Sequence, residues 1–192
     1  MPLECLHMTV LEVTHSQTEA EISKLVDMME SKIPEITDHT ENHRARLVKP
    51  MLSYDAAAIA LSFLPAAGED IYGRRDLEAE SYTYHHLRRD IYALSNITGV
   101  EIASRYVVPS SHLTIARFVT QKDFANADTG AMDKPKIESL LVKLVGINDS
   151  LQADCWSEWT ASWEVGEKKG LVCRKGTLWY GGGQSQHEGR GF

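Results

Sequence analysis

Short apolar stretches recur along the chain and predict β-strands, because strand side chains alternate between two faces with a period of two residues. The stretches that fit this pattern are residues 3–13, 44–49, 56–64, 112–119, 161–165, 170–174 and 177–180. The 56–64 run is largely apolar and is followed by Pro65 and Gly68, which is typical of a buried strand. Residues 50–55 are expected to form a connection, and the residues after Gly183 are expected to fray.

Apolar residues spaced three and four positions apart predict three amphipathic helices. The first begins near Ser16, where Ser16 and Glu19 fit a capping box. The second spans about 80–96, and the third starts at Asp133, with Pro135 in its first turn. The apolar face of the second helix is expected to contain Tyr84, Leu87, Ile91 and Leu94, and that of the third Ile137, Leu140, Leu141, Leu144 and Ile147.

One four-residue pattern occurs twice, at positions 105 residues apart. It reads His, apolar, Thr, apolar at residues 7–10 (His-Met-Thr-Val) and again at residues 112–115 (His-Leu-Thr-Ile), each time within a predicted strand. In a strand, the His and Thr of each copy point to one face and the apolar pair to the other. If the two strands meet, two imidazoles and two hydroxyls share one cleft. Such a cleft holds a general acid, a general base and hydrogen-bond donors for an anion.

Both halves of the chain follow one order of elements, which is motif strand, helix, strand, strand. This repeat predicts an α+β fold with two lobes related by a pseudo-twofold axis, with antiparallel sheets and the helices on the outside. Lobe one is expected over about 1–79 and lobe two over about 100–183, with a bridging helix at about 80–98. The whole chain, 1–192, then forms a single domain.

Composition and charge exclude several classes of protein. Apolar residues make up 43% and charged residues 24%, which is ordinary for a globular chain, and no apolar run approaches the ~18 residues that span a bilayer. A net charge of −7 argues against an extended nucleic-acid groove but allows a pocket for a small phosphate ester. The odd set Cys5, Cys155 and Cys173 has no metal-ligand spacing, so we expect reduced thiols in a cytoplasmic or nuclear monomer.

The paired motif resembles the signature of the 2H phosphoesterase superfamily. Longer stretches at 6–16, 104–109 and 174–183 are similar to a fungal branch described as RNA ligase/cyclic nucleotide phosphodiesterase-like. The resemblance covers nearly the whole chain and implies the bilobal 2H phosphoesterase fold and hydrolase activity. In that family an earlier strand and helix precede the first motif strand. Because His7 lies near the start of the sequence, we expect lobe one to lack this unit, and activity to depend on folding without it.

The resemblance implies metal-independent hydrolysis of a cyclic phosphodiester, either a 2′,3′-cyclic nucleotide or an RNA end with a 2′,3′-cyclic phosphate. His7 and His112 act as general acid and general base in either order, Thr9 and Thr114 hold the phosphate oxygens, and no metal or other cofactor takes part. The alternatives are a non-catalytic module on the same fold that binds nucleotides or a protein, an inert gene fragment, or a phosphodiesterase for ADP-ribose 1″,2″-cyclic phosphate or 2′-5′ oligonucleotides.

Further candidates for contact with the substrate are Arg105, Arg117 and Tyr180, for which surface or packing roles are the alternative. Strand alternation turns Arg117 away from the His112 face unless a β-bulge intervenes. The other histidines are not expected to form a site. His85 and His86 are neighbours on a helix and diverge, and the following are expected in solvent: His15, His39, His43 and His187.

Overall fold

The computed structural model describes residues 1–67, 81–103, 111–158, 161–177 and 182–192. Within these ranges the helices are α1 (Glu19–Met29), α2 (Ile33–Thr37), α3 (Tyr84–Ile97) and α4 (Lys134–Asp154). The strands are β1 (Arg46–Tyr54), β2 (Ala58–Pro65), β3 (Ser111–Arg117), β4 (Trp163–Glu164), β5 (Val172–Lys175) and β6 (Gln184–Glu188). Helices and antiparallel strands together confirm the predicted α+β class.

The strands that carry the fold form one antiparallel sheet in the order β3-β2-β1-β4, and β5 pairs with β6 separately. β1 and β2 form a hairpin whose turn is fixed by Asp55, since its carboxylate accepts hydrogen bonds from the amides of Ala57 and Ala58. The four-stranded sheet combines strands from both halves of the sequence. Two lobes related by a pseudo-twofold axis, and the family fold they imply, therefore stay predictions.

The main core contains the apolar face of α3 and one face of the sheet. Tyr84, Leu87 and Ile91 of α3 belong to the same cluster of buried side chains as Leu47 of β1 and Phe63 of β2. The spacing of three and four residues along α3 produces this stripe. The apolar face expected for the second helix is confirmed. The opposite face of the sheet does not pack against this core.

One helix start differs from the prediction and another agrees with it. The capping box of α1 is formed by Thr18 and Glu21, not by Ser16 and Glu19, because Ser16 adopts a left-handed conformation with φ 58°. α4 begins after Asp133 as predicted, with the Asp133 carboxylate accepting from the Lys136 amide.

The buried side of α4 is narrower than expected. Leu144 is buried, but Ile147 is 46% exposed, so its place in the buried stripe was wrong. The helix is turned so that Leu144 and Asn148, four residues apart, face the sheet. The Asn148 side chain accepts a hydrogen bond from the Leu52 amide at 2.7 Å and donates one to the Leu52 carbonyl at 3.0 Å. It thereby occupies the open edge of β1.

Residues 50–55 were expected to form a connection, but β1 continues to Tyr54. The strand accommodates Pro50 through an irregularity in its pairing between Val48 and Met51, where Lys49 has φ 54°. A bulge of this kind absorbs the missing amide of proline, and the strand then resumes.

The C-terminal residues pack against the rest of the chain, so the prediction of fraying was wrong. β6 pairs with β5, and Gly189 donates its amide to the Leu171 carbonyl. The Arg190 side chain and backbone amide both donate to the Asp38 carboxylate. The strand predicted at 177–180 lies largely outside the described residues.

Two further findings concern membrane-spanning helices and the cysteine thiols. Among the described residues, no helix is both long enough and apolar enough to cross a bilayer. The thiols of Cys5, Cys155 and Cys173 are free, and burial raises the pKa of the Cys173 thiol.

Candidate functional site

The two copies of the motif meet at one place in the structure. Met8 and Leu113, the second residues of the two copies, form an antiparallel β-bridge. The N-terminal segment departs from the strand expected over 3–13 at its start, where Leu3–Cys5 form a 3-10 turn. The bridge sets the first motif beside β3, at the edge of the sheet.

The bridge determines which motif side chains share a face. Met8 and Leu113 both pack against the main core. In an antiparallel pair with this register, the neighbours of Met8 and Leu113 project to the opposite face, and we expect His7 across from Thr114 and Thr9 across from His112. Diagonal neighbours in such a pair lie ~7–8 Å apart, which sets the separation expected between the two histidine Cβ atoms.

The solvent exposure of the first motif agrees with this alternation. His7 and Thr9 are exposed, whereas Met8 and Val10 are half-buried and pack against the core. The Nδ1 of His7 lies 2.9 Å from the Cys5 carbonyl oxygen. A carbonyl only accepts hydrogen bonds, so Nδ1 carries the proton in this contact, and Nε2 is the nitrogen turned to other partners.

His112 has a different electrostatic setting, because it is half-buried at the start of β3. Burial lowers the pKa of His112, and the positive charges of Arg117 and Arg88 lower it further. The neutral imidazole is therefore favoured at this position near pH 7.

Arg117 lies on the same face as His112 because β3 contains a bulge. Thr114 pairs with Ala60 and Ala116 pairs with Ile59, so Ile115 is an extra residue on β3. An extra residue reverses the alternation beyond it. Arg117, paired with Ala58, thus projects to the same side as His112 and Thr114, an outcome that the sequence pattern allowed only if a bulge intervened.

The remaining predicted contacts, Arg105 and Tyr180, lie outside the described residues. The structure adds residues that the sequence did not indicate. Ser62 of β2 lies beside His112 in the sheet, and its hydroxyl is 2.6 Å from that of Ser53 on β1. No sequence signal indicated these serines, because only the strand pairing places them next to the motif.

A second group of titratable side chains lies on α3 and the turn after α2, and the expectation that His39 is a solvent residue was wrong. His39 Nε2 is 3.1 Å from the Tyr82 hydroxyl, which donates to the Asp90 carboxylate at 2.9 Å. The His39 ring stacks on His43 with centroids 4.1 Å apart. Burial lowers the pKa of His39 and His43 lowers it further, against the weaker opposite effect of Asp90 and Glu35.

His187 is also half-buried, contrary to the expectation for this residue. Its Nδ1 lies 2.8 Å from the Thr37 hydroxyl, which donates to the Ile33 carbonyl and so accepts from the imidazole. This contact fastens β6 to α2. It gives His187 a structural role.

The described ranges contain no group of three His, Cys, Asp or Glu side chains placed to hold a metal ion. A depression of about 580 Å³ lies along α4, and its lining is Lys143, Gly146, Ile147, Ser150, Leu151, Asp154 and Cys155. The lining of this depression contains none of the four polar motif residues, which are His7, Thr9, His112 and Thr114. We therefore place the candidate site on the sheet face that carries the motif, and not at α4.

Comparison with known proteins identifies no relative of this chain. No family model, no curated protein and no solved structure matches the chain.

Proposed function

We propose that this chain hydrolyses cyclic phosphodiesters, with 2′,3′-cyclic nucleotides or RNA 2′,3′-cyclic phosphate ends as substrates. The observation that carries the proposal is the bridge between Met8 and Leu113, since it supports a common face for both His-x-Thr pairs. Two imidazoles and two hydroxyls around one anion-sized gap suit acid–base cleavage of a phosphate ester.

In the proposed reaction, one neutral imidazole takes a proton from water while the water oxygen attacks phosphorus. The bond from phosphorus to one ribose oxygen breaks, and the second imidazole, protonated, gives its proton to that oxygen. The product is a nucleoside monophosphate. Burial, with the charges of Arg117 and Arg88, lowers the pKa of His112. This favours the neutral form and supports His112 as the base, with His7 as the acid.

Hydrogen-bond donors complete the proposed site. Thr9 and Thr114 donate to the non-bridging phosphate oxygens, and the positive charge of Arg117 balances the charge that builds up on them. The bulge at Ile115 supports this role for Arg117. No step requires a metal ion.

The test is turnover of a 2′,3′-cyclic nucleotide in the presence of a metal chelator. A group that transfers a proton contributes ~10²–10⁴-fold, so His7→Ala and His112→Ala should each lower kcat by about that factor. His85→Ala, which removes an exposed imidazole of α3, should leave the rate unchanged.

The same assay separates the alternatives. Wild-type rates in both histidine variants would rule out the proposed mechanism. Binding of the cyclic nucleotide without turnover would favour a non-catalytic module, and turnover of ADP-ribose 1″,2″-cyclic phosphate or 2′-5′ oligonucleotides alone would change the substrate.

A further inference from the structure

The sheet face that holds the motif residues continues from β3 across β2 onto β1. His112 pairs with Ser62, and Ser62 pairs with Met51. Residues that face each other in an antiparallel sheet project to the same side. The short contact between the Ser62 and Ser53 hydroxyls independently requires these side chains to share one face.

A second row of pairs runs parallel to the first. Thr114 pairs with Ala60, and Ala60 pairs with Ser53 on β1. Ala58 lies two residues before Ala60 and faces the same way. We call these residues the β1–β2 floor, which comprises Met51, Ser53, Ala58, Ala60 and Ser62.

The β1–β2 floor combines small side chains with exposed apolar ones. The side chains of Ala58 and Ala60 rise little above the backbone, and both residues are partly exposed within the described part of the chain. Apolar side chains at its margins face solvent, since Met51 is 37% exposed and Leu64, on the same face of β2, is 47% exposed. An exposed apolar surface beside polar catalytic groups is typical of a ligand-binding site.

Distance and chemistry both fit a nucleobase. Neighbouring strands are ~4.8 Å apart, so Met51 on β1 lies roughly 10 Å across the sheet from His112 on β3. This is the reach of a base joined through ribose to a phosphate. The methionine sulfur contacts aromatic rings favourably. The hydroxyls of Ser53 and Ser62 share one hydrogen bond and have a further donor and lone pairs for a base edge.

We propose that the β1–β2 floor is the nucleobase subsite, with the base lying over Ala60 and against Met51 while the phosphate lies among the four motif residues. This inference rests on the proposed function for the position of the phosphate. A nucleobase subsite at this place would favour nucleotides over a cyclic phosphate whose ribose carries no base, such as the 1″,2″-cyclic end of ADP-ribose.

The experiment compares equilibrium binding of adenosine 2′-monophosphate and of inorganic phosphate by titration calorimetry. Ala60→Leu adds a bulky side chain to the floor, and Met51→Ala removes its apolar margin. Each should weaken binding of the nucleotide by about tenfold, the scale of one lost base contact, and leave phosphate affinity unchanged. The matched control is Met132→Ala, at another methionine that is 53% exposed, and it should bind both ligands like wild type.

The results distinguish the subsite from the reaction. Nucleotide binding that is sensitive to both substitutions supports the floor, even if no cyclic nucleotide is turned over, in which case only the proposed hydrolysis fails. Three results overturn the floor. They are unchanged nucleotide affinity in both variants, equal weakening of both ligands, and wild-type binding of the nucleotide no tighter than of phosphate. If Ala60→Leu does not fold, Met51→Ala decides the matter by the same criteria.

Discussion

Arg117 and His112 lie on one face of β3 although an odd number of positions separates them. Regular alternation would put them on opposite faces, and the extra residue at Ile115 removes that difference. The positive charge of Arg117 lowers the pKa of His112, after burial, which is the larger cause. Substitution of Arg117 therefore has consequences that substitution of an arginine far from His112 would not have.

We predict that Arg117→Gln changes the pH profile of turnover. Loss of its positive charge raises the pKa of His112, so the acid side of the kcat/KM profile should move to higher pH. Loss of a charged phosphate contact should also lower kcat/KM by about tenfold. The measurement is kcat/KM for a 2′,3′-cyclic nucleotide between pH 5 and 8. Arg44→Gln, an exposed arginine that stacks on Phe192, should keep the wild-type profile.

Stability should fall as the solution is acidified, and His39 should contribute to this fall. The pKa of His39 is lowered in the folded chain, chiefly by burial, so the unfolded chain binds its proton first. The contribution of neutral His39 is present above pH 6.5, the ordinary histidine value, and is lost as the pH falls through the folded-state pKa. The His43 ring stacked on His39 acts in the same direction, whereas Asp90 and Glu35 oppose it.

The measurement is the urea midpoint of unfolding at pH 7.5 and pH 5.5. His39→Gln should show a smaller loss of stability between these values than wild type, and His85→Gln, at an exposed position, should match wild type. Some loss should remain in His39→Gln, because the pKa of His112 is also lowered. An identical loss in His39→Gln and wild type would contradict this account.

Two glycine-to-alanine substitutions should act in opposite directions. A Cβ at Gly189 would overlap the backbone carbonyl of Thr37, so Gly189→Ala should cost about 1–3 kcal/mol of unfolding free energy. A Cβ at Gly146, inside α4, would meet nothing within 4 Å, so Gly146→Ala should stabilise by about 0.5–1 kcal/mol. Denaturant titration of both variants checks the pair. A neutral Gly189→Ala would show that the C-terminal residues are not packed against α2.

The Asn148 amide should matter for stability through both of its bonds to Leu52. Asn148→Asp keeps an acceptor for the Leu52 amide but sets a carboxylate oxygen against the Leu52 carbonyl, where a donor is required. We expect a loss of about 1–3 kcal/mol. Asn96→Asp, at an exposed position on α3, should stay within about 0.5 kcal/mol of wild type. Thermal unfolding of the two variants makes the comparison, and equal midpoints would exclude the proposed edge contact.

The spacing of apolar residues and the capping residues were sufficient to predict helices, because the structure of a helix depends on residues close in sequence. The stripe of Tyr84, Leu87 and Ile91 is buried as its spacing requires, and the start of α4 follows from the Asp133 cap. A helix satisfies its backbone hydrogen bonds within itself, so its position can be inferred from a short window of sequence. The cap of α1 was missed by two residues, because the backbone conformation of Ser16 depends on the chain around it.

Strand limits and pairing depended on distant residues. The segment over 3–13 has the alternation of a strand, yet Leu3–Cys5 form a 3-10 turn and Met8 pairs through an isolated bridge, whereas β1 runs through Pro50 by means of an irregular pairing. The partner of β5 was missed because β6, which is rich in polar residues, has no apolar signature. Strand hydrogen bonds join segments far apart in sequence, so a single window cannot reveal them.

The sequence by itself determined the chemical groups of the candidate site, namely two His-x-Thr pairs whose side chains alternate with the period of a strand. Tertiary structure decided their surroundings, including the bridge of Met8 to Leu113, the bulge that turns Arg117 to the same face, and the serines beside His112. The physical reason is that alternation along a strand is a local property of the backbone. Register between strands depends instead on packing and hydrogen bonds that only the folded chain brings together.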